Sequence, residues 1–316
     1  TYPKYIAGLV KGSTEVTMTG GAVKASVYGG GEMAAVGESY LLKNDPDQTI
    51  LGETLTGAEG KARDGHTYVT VSGGTIGIPK VGDKQFGGGT MGNVYGGGSG
   101  YINTVRSGQI YGNTNVNISG TPTIYHNVYG GGAYGTVGDF TYTMTSDEGT
   151  GTKKVTNIKG LHEQRAGTGT ATVTITGGTI GVDGHENGMV FGSSRGEVDV
   201  PGKRPDWLAW VNTANVTIGT AGHGYDAPEP QIMGSVYGSG ENGHTYGNTT
   251  LNIHSGVIGD KNATKETFYK YHGNVYGGGC GEDKYWVDAN SNRVKDSGEE
   301  HYRSRSEERR VGKECR

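Results

Sequence analysis

The chain has 316 residues, of which 62 are Gly and 8 are Pro, with apolar residues at 32%; so low an apolar share excludes one compact globular core. Lys plus Arg (28) nearly balance Asp plus Glu (32) for a formal charge of −4, so no basic field is available to hold a phosphate backbone and nucleic acid is not an expected partner. Cys280 and Cys315 are too few for a disulfide framework, so packing and backbone pairing must carry the fold.

Two elements alternate along the chain. The first is an alternating strand running into a glycine turn, Glu15-Val-Thr-Met-Thr-Gly-Gly21, followed by a shorter one, Ser26-Val-Tyr-Gly-Gly-Gly31. The pair returns as Tyr68-Val-Thr-Val-Ser-Gly-Gly74 with Asn93-Val-Tyr-Gly-Gly-Gly98, then as Asn115-Val-Asn-Ile-Ser-Gly120 with Asn127-Val-Tyr-Gly-Gly-Gly132. The fourth pair is Thr172-Val-Thr-Ile-Thr-Gly-Gly178 with Met189-Val-Phe-Gly-Ser193, and the fifth is Asn215-Val-Thr-Ile-Gly219 with Ser235-Val-Tyr-Gly-Ser239. The sixth is Thr250-Leu-Asn-Ile-His-Ser-Gly256 with Asn274-Val-Tyr-Gly-Gly-Gly279. Self-similarity at a period of a few tens of residues marks a solenoid.

In the longer element residues i and i+2 share a face, so Val69 with Val71, Val116 with Ile118 and Val173 with Ile175 point one way, and Thr or Asn the other. An apolar residue after the turn, Val23, Ile76, Ile124, Ile180 or Ile258, is expected to plug the same core. Only Tyr125 and His126 separate Ile124 from Asn127, too short for a crossover, so the two elements must be neighbouring sides of one coil. The expected fold is all-β, a right-handed parallel β-helix (β-solenoid) with long loop and hairpin inserts. Tyr28, Tyr95, Tyr129, Phe191, Tyr237 and Tyr276 should stack as an aromatic ladder flanked by Asn93, Asn127 and Asn274, with glycine at the corners.

Long connections at 32–66, 133–169, 194–213 and 260–272 are where binding specificity is expected on such a scaffold. The insert at 133–169 reads as a protruding hairpin, Phe140-Thr-Tyr-Thr-Met-Thr145 returning through Lys153-Lys-Val-Thr-Asn157, with Phe140, Tyr142 and Met144 as candidate contacts. Trp207 and Trp210, three apart, are placed on one face of a helical turn, able to stack on a sugar or pack against the solenoid flank. Residues 283–304 are expected to form a hairpin, Tyr285-Trp-Val-Asp288 turning to Arg293-Val-Lys295, or the start of a further element. Asp288–Glu299 carries oxygen side chains at five positions of an EF-hand frame, but Arg293 stands where that loop needs Gly. Residues 305–316 resemble the translation of a common sequencing-library adapter and are set apart as a non-native tail, with solenoid spanning 1–282.

The dinucleotide-like Gly130-Gly-Gly-Ala-Tyr-Gly135 runs into strand-like sequence with no helix to receive a pyrophosphate. His162-Glu163 lacks the second His of a zinc motif. Asp183, His185 and Glu186, with Glu197 and Asp199, are the one acid and imidazole cluster that a sugar-cleaving site would draw on. Asn117, Asn215, Asn248 and Asn262 fit the glycosylation sequon. No catalytic residue, metal ligand or cofactor is assigned, and no signal peptide or membrane-spanning run is found; Thr1 in place of Met suggests a fragment. The pairing of Val-Thr-Ile-x-Gly-Gly strands with Asn-Val-Tyr-Gly-Gly-Gly strands over Thr14 to Gly281 resembles the Gly-rich repeat regions of large bacterial surface proteins, adhesin-like parallel β-helices especially. That resemblance implies a secreted or cell-surface bacterial setting and a structural or attachment role toward glycan, matrix or a host or cell-surface protein. The rival reading is a β-helix that binds or cleaves polysaccharide.

Overall fold

The computed structural model describes residues 7–37, 65–78, 92–101, 106–146, 153–159, 168–181, 188–197, 208–222, 229–259, 273–286 and 300–304. Coil 1 is built from β1 (Thr14–Met18), β2 (Ala22–Val23) and β3 (Val27–Tyr28), coil 2 from β4 (Thr67–Val71), β5 (Thr75–Ile76) and β6 (Val94–Tyr95). Coil 3 holds β7 (Thr114–Ile118), β8 (Thr123–Ile124) and β9 (Val128–Tyr129), after which β10 (Thr141–Ser146) and β11 (Lys153–Lys159) form an antiparallel hairpin. Coil 4 holds β12 (Thr170–Ile175), β13 (Thr179–Ile180) and β14 (Val190–Phe191), followed by the short return strand β15 (Trp210–Val211). Coil 5 holds β16 (Thr213–Ile218), β17 (Gln231–Ile232), β18 (Val236–Tyr237) and the return strand β19 (His244–Thr245). Coil 6 holds β20 (Thr249–Ile253), β21 (Val257–Ile258) and β22 (Val275–Tyr276), and a terminal hairpin pairs β23 (Glu282–Trp286) with β24 (Glu300–Ser304).

Like strands stack in chain order into three parallel six-stranded sheets, β1-β4-β7-β12-β16-β20, β2-β5-β8-β13-β17-β21 and β3-β6-β9-β14-β18-β22. This is the parallel β-helix that the repeat implies. Register is residue for residue: Val16, Val69, Val116, Val173, Val216 and Leu251 align, as do Met18, Val71, Ile118, Ile175, Ile218 and Ile253. Slipping one strand by a residue would turn its whole apolar row outward, which is why the alternation fixes the pairing.

One cluster of 18 buried residues runs through all three sheets, from Met18 and Val27 to Ile232 and Val236. At about 1.5–3 kcal/mol for each buried Val or Ile, the cluster is the main favourable term in the fold. A second row, absent from the sequence reading, closes the coil between the Gly run and the next long strand. Val36, Ile110, Val137 and Val211 bridge one another in parallel and pack with Ala171. Segments expected to be loops, 32–37 and 133–137 among them, are therefore sides of the coil.

In coils 1 to 5 the corner after the short strand of the third sheet admits only glycine. A Cβ on Gly130 would lie 2.3 Å from the carbonyl oxygen of Gly192 in the next coil and 3.0 Å from Val173 Cγ2, distances that backbone cannot yield without breaking the stack. A threonine hydroxyl donates to this glycine's carbonyl, buried for Thr67 to Gly96 and Thr114 to Gly130, each at 2.6 Å, and exposed for Thr249 to Gly277 at 2.7 Å. In coils 4 and 5 the aligned residues are Ala171 and Ala214, and there the second residue of the glycine run is Ser193 or Ser239. The Ser193 hydroxyl donates to the His244 carbonyl at 3.3 Å, and Ser239 pairs with the Thr245 hydroxyl at 2.6 Å. The hydroxyl lost from one wall of the coil thus reappears on the other.

Candidate functional site

The expected aromatic ladder is present. Consecutive rings of Tyr28, Tyr95, Tyr129, Phe191, Tyr237 and Tyr276 stack with centroids 4.7–5.0 Å apart and interplanar angles of 9–11°. Beside it runs a polar ladder at the residue preceding each Val. The Asn93 carboxamide oxygen accepts from the Asn127 backbone N–H at 2.9 Å, and Asn127 does the same for Met189 at 2.9 Å. Ser26 and Ser235 hydroxyls play this part for Asn93 and Asn274. His126 Nδ1 lies 2.6 Å from Asn93 Oδ1. Burial, and after it the charge of Arg195, pull the His126 pKa down to about 4, so the ring is neutral at pH 7.

The Tyr stack is not an open face. Tyr95, Tyr129 and Phe191 are fully buried and Ala133 packs against them. A row of bridging residues, Glu32, Ser99, Ala133 with Tyr134, Arg195, Glu241 with Asn242, and Cys280, runs beside this wall. At the centre of the row lies a network of ionisable side chains. The Tyr129 hydroxyl, which accepts from Asn127 Nδ2 at 3.1 Å, donates to a carboxylate oxygen of Glu241. Phe191, one coil on, has no hydroxyl, and Glu241 reaches past it. Arg195 Nε lies 3.7 Å from the same carboxylate, its guanidinium carbon sits 5.4 Å from the Tyr134 ring centroid, and Nη1 donates to the Tyr134 hydroxyl at 3.5 Å. Tyr134 in turn donates to Glu197 at 3.1 Å.

Burial raises the Tyr95 and Tyr129 pKa values far above the phenolic range, and Glu241 adds to the effect. Both phenols therefore stay protonated, and that of Tyr129 donates to Glu241. Burial opposes the charge on Arg195, but the carboxylate of Glu241 and the ring face of Tyr134 offset it and the guanidinium stays protonated. Each charge in this network has a partner of opposite sign or a hydroxyl, the requirement for keeping ions at a half-buried position. The arrangement clamps three coils together along the ladder.

The candidate contact residues separate. Phe140 is 2% exposed and packs on Trp210 at 5.9 Å between ring centroids, so it is a packing residue of the coil and not a surface contact. Trp210 is half-buried in β15, where it lies against His244 at 4.6 Å. Its segment is a strand and not the expected helical turn, because parallel pairing with β19 of the next coil holds it extended, and Ala209 before it takes a left-handed φ of 59°. Tyr142 and Met144 lie in β10 of the expected hairpin, with Tyr142 opposite Ile158 and Met144 opposite Val155. Trp207, Asp183, His185, Glu186 and Asp199 lie outside the described residues, as do Asp288–Glu299 and 305–316. The terminal hairpin pairs Glu282–Trp286 with Glu300–Ser304, and the expected second arm, Arg293–Lys295, lies outside the described residues. The chain matches no family model, no curated protein and no solved structure. Among the described residues no group of three or more His, Cys, Asp or Glu could hold a metal ion, and no helix is long and apolar enough to cross a membrane.

Sequence reasoning missed Arg195 and Glu241. A usable signal was available: each follows a glycine run by the same short interval as Glu32 does in coil 1, at the same place in the repeat.

Proposed function

We propose that the chain is a structural or adhesive repeat scaffold of a secreted or cell-surface bacterial protein, presenting binding loops to glycan, matrix or a partner protein. The observation that supports this most is the indifference of the framework to what is inserted in it. Strands β7 and β12 pair over five aligned positions, Thr114 with Ala171 through Ile118 with Ile175, although the β10–β11 hairpin lies between them in the chain. A rigid stack that accepts an excursion without losing register is suited to display. The outer face of the first sheet also suits contact with uncharged polymers: Thr17, Thr70, Asn117, Thr174, Thr217 and Asn252 align along it, with Glu15 at the coil 1 end as the one charged residue of these strands.

The test replaces 141–159 by a short Gly-Ser turn, leaving buried Asp139 and Phe140 in place. The solenoid should keep its circular dichroism spectrum and melting temperature while attachment on a glycan or matrix array falls. A parallel reducing-sugar assay on bound polysaccharides should stay at background. Turnover there would favour the cleaving β-helix, and attachment that survives the replacement would remove the hairpin from the reading.

A further inference from the structure

The first sheet uses its hydroxyls in opposite ways on its two faces. On the inner face Thr67 and Thr114 spend theirs on the carbonyls of Gly96 and Gly130. On the outer face the polar groups are left for a ligand. In β4, β7, β12 and β16 buried residues alternate with residues that reach solvent. Parallel register sets the latter in two rows, Tyr68, Asn115, Thr172 and Asn215 in one, and Thr70, Asn117, Thr174 and Thr217 in the other. Among the described residues Asn115 Nδ2 lies 3.5 Å from the Thr67 carbonyl, and no other side-chain hydrogen bond ties either row to the protein.

These rows have a definite ligand chemistry. The four strands carry no charged residue, so they offer an ion or polyelectrolyte no counter-charge. Hydroxyl and carboxamide groups each donate and accept, as a sugar hydroxyl does. The β-branched threonines are restricted at χ1 and lose little freedom on binding. Successive coils are one strand spacing apart, about 4.8 Å, and the rings of the aromatic ladder repeat at 4.7–5.0 Å. An extended chain of β-1,4-linked pyranoses advances by nearly that step per sugar. The two rows lie two residues apart along the strand, about 6.6 Å, a spread close to that of the hydroxyls on opposite edges of one ring. An α-1,4-linked chain coils and keeps neither match. Tyr68, 44% exposed and tilted 51° to the ring of His66, offers an aromatic face on which the C–H face of a pyranose can pack.

We propose that the outer face of the first sheet binds an uncharged β-1,4-linked polysaccharide laid along the solenoid axis, one sugar to a coil, with its edge hydroxyls on the two rows and one ring on Tyr68. The inference rests on the glycan branch of the attachment role; it names the ligand class and adds a contact on the framework itself.

Titration calorimetry of the full chain with cellohexaose and chitohexaose, against maltohexaose, tests it. At least one of the β-1,4-linked hexamers should bind tenfold or more tightly than maltohexaose, with affinity rising at each sugar from trimer to hexamer. Tyr68→Ala and, separately, Thr174→Lys should each lower hexamer affinity at least tenfold. Both positions face outward, so circular dichroism and melting should match the unaltered chain, and the comparison of linkages needs no substitution at all. Replacing 141–159 by the Gly-Ser turn should leave hexamer binding unchanged. The inference is overturned if neither hexamer binds, if maltohexaose binds equally well, or if affinity stops rising at the trimer. Binding that is unchanged by Tyr68→Ala or by Thr174→Lys, or that is lost with the hairpin, would overturn it as well. Attachment to matrix or to other glycans that persists in those cases would leave the wider role standing and remove only this face from it.

Discussion

Substituting alanine at Gly130 and at Gly277 makes one chemical change at one place in the repeat, and the outcomes should be opposite in kind. At Gly130 the new Cβ lies 2.3 Å from the Gly192 carbonyl oxygen, about 1 Å inside normal contact, and the coils must part there to relieve it. The nearest ladder bonds are Gly130 N–H to the Phe191 carbonyl at 2.9 Å and Gly131 N–H to the Ser193 carbonyl at 3.1 Å. Loss of two buried backbone bonds at about 1–3 kcal/mol each, with some strain in the packed corner, gives a cost of about 3–5 kcal/mol. That corresponds to a fall in melting temperature on the order of 10 °C for a chain of this size. At Gly277 nothing lies within 4 Å, so alanine should be neutral or stabilising by about 0.4–1 kcal/mol through the unfolded chain. Thermal melts followed by circular dichroism at low protein concentration compare the two. Equal melting temperatures for Gly130→Ala and the unaltered chain would refute the argument that stacked backbone dictates glycine here.

Val128→Asp should cost several kcal/mol, because Val128 is fully buried in the central cluster and an unpaired carboxylate would replace it; urea titration measures the loss. Thr114→Val keeps the shape but leaves the Gly130 carbonyl without its 2.6 Å donor, and about 1–3 kcal/mol should be lost in the same titration. His126 has a folded pKa of about 4 against an ordinary 6.5, so between those values the unfolded chain binds more protons and stability must fall as pH falls. The loss approaches 3 kcal/mol, by order of magnitude, at pH 4 and is absent above pH 6.5. Gln in place of His126 should flatten this part of the pH profile of unfolding free energy, and an unchanged profile would show that the imidazole is not buried as described.

The three sheets were readable because their signal repeats with period two and at a fixed offset. Val69 with Val71 and Val94 with Tyr95 look alike in every coil. The closing row was hidden because Val36, Ile110, Val137 and Val211 contribute one apolar residue each, at unequal distances from the strand that follows. Single residues carry no periodicity, and only the bridges between coils show that they form a wall. Phe140 and Trp210 illustrate a different limit. An aromatic residue in a Gly-rich connection has the same local sequence whether it faces solvent or a partner, and the packing between these two depends on a turn of the coil that lies between them. Arg195 and Glu241 were legible in principle by alignment of the repeat, but their pairing follows from the missing hydroxyl at Phe191, which acts through the ladder rather than along the chain.

The exchange of threonine for alanine against glycine for serine has a consequence for how such an array can change length. A coil of the threonine kind closes its buried hydroxyl bond within itself, as Thr114 does with Gly130, and is a module that can be duplicated or lost singly. Coil 4 is not: Ser193 relies on the His244 carbonyl supplied by coil 5. Coils 4 and 5 should therefore be gained and lost as a pair, so that arrays of this kind grow in steps of one coil from the threonine stretches and in steps of two from the serine stretch.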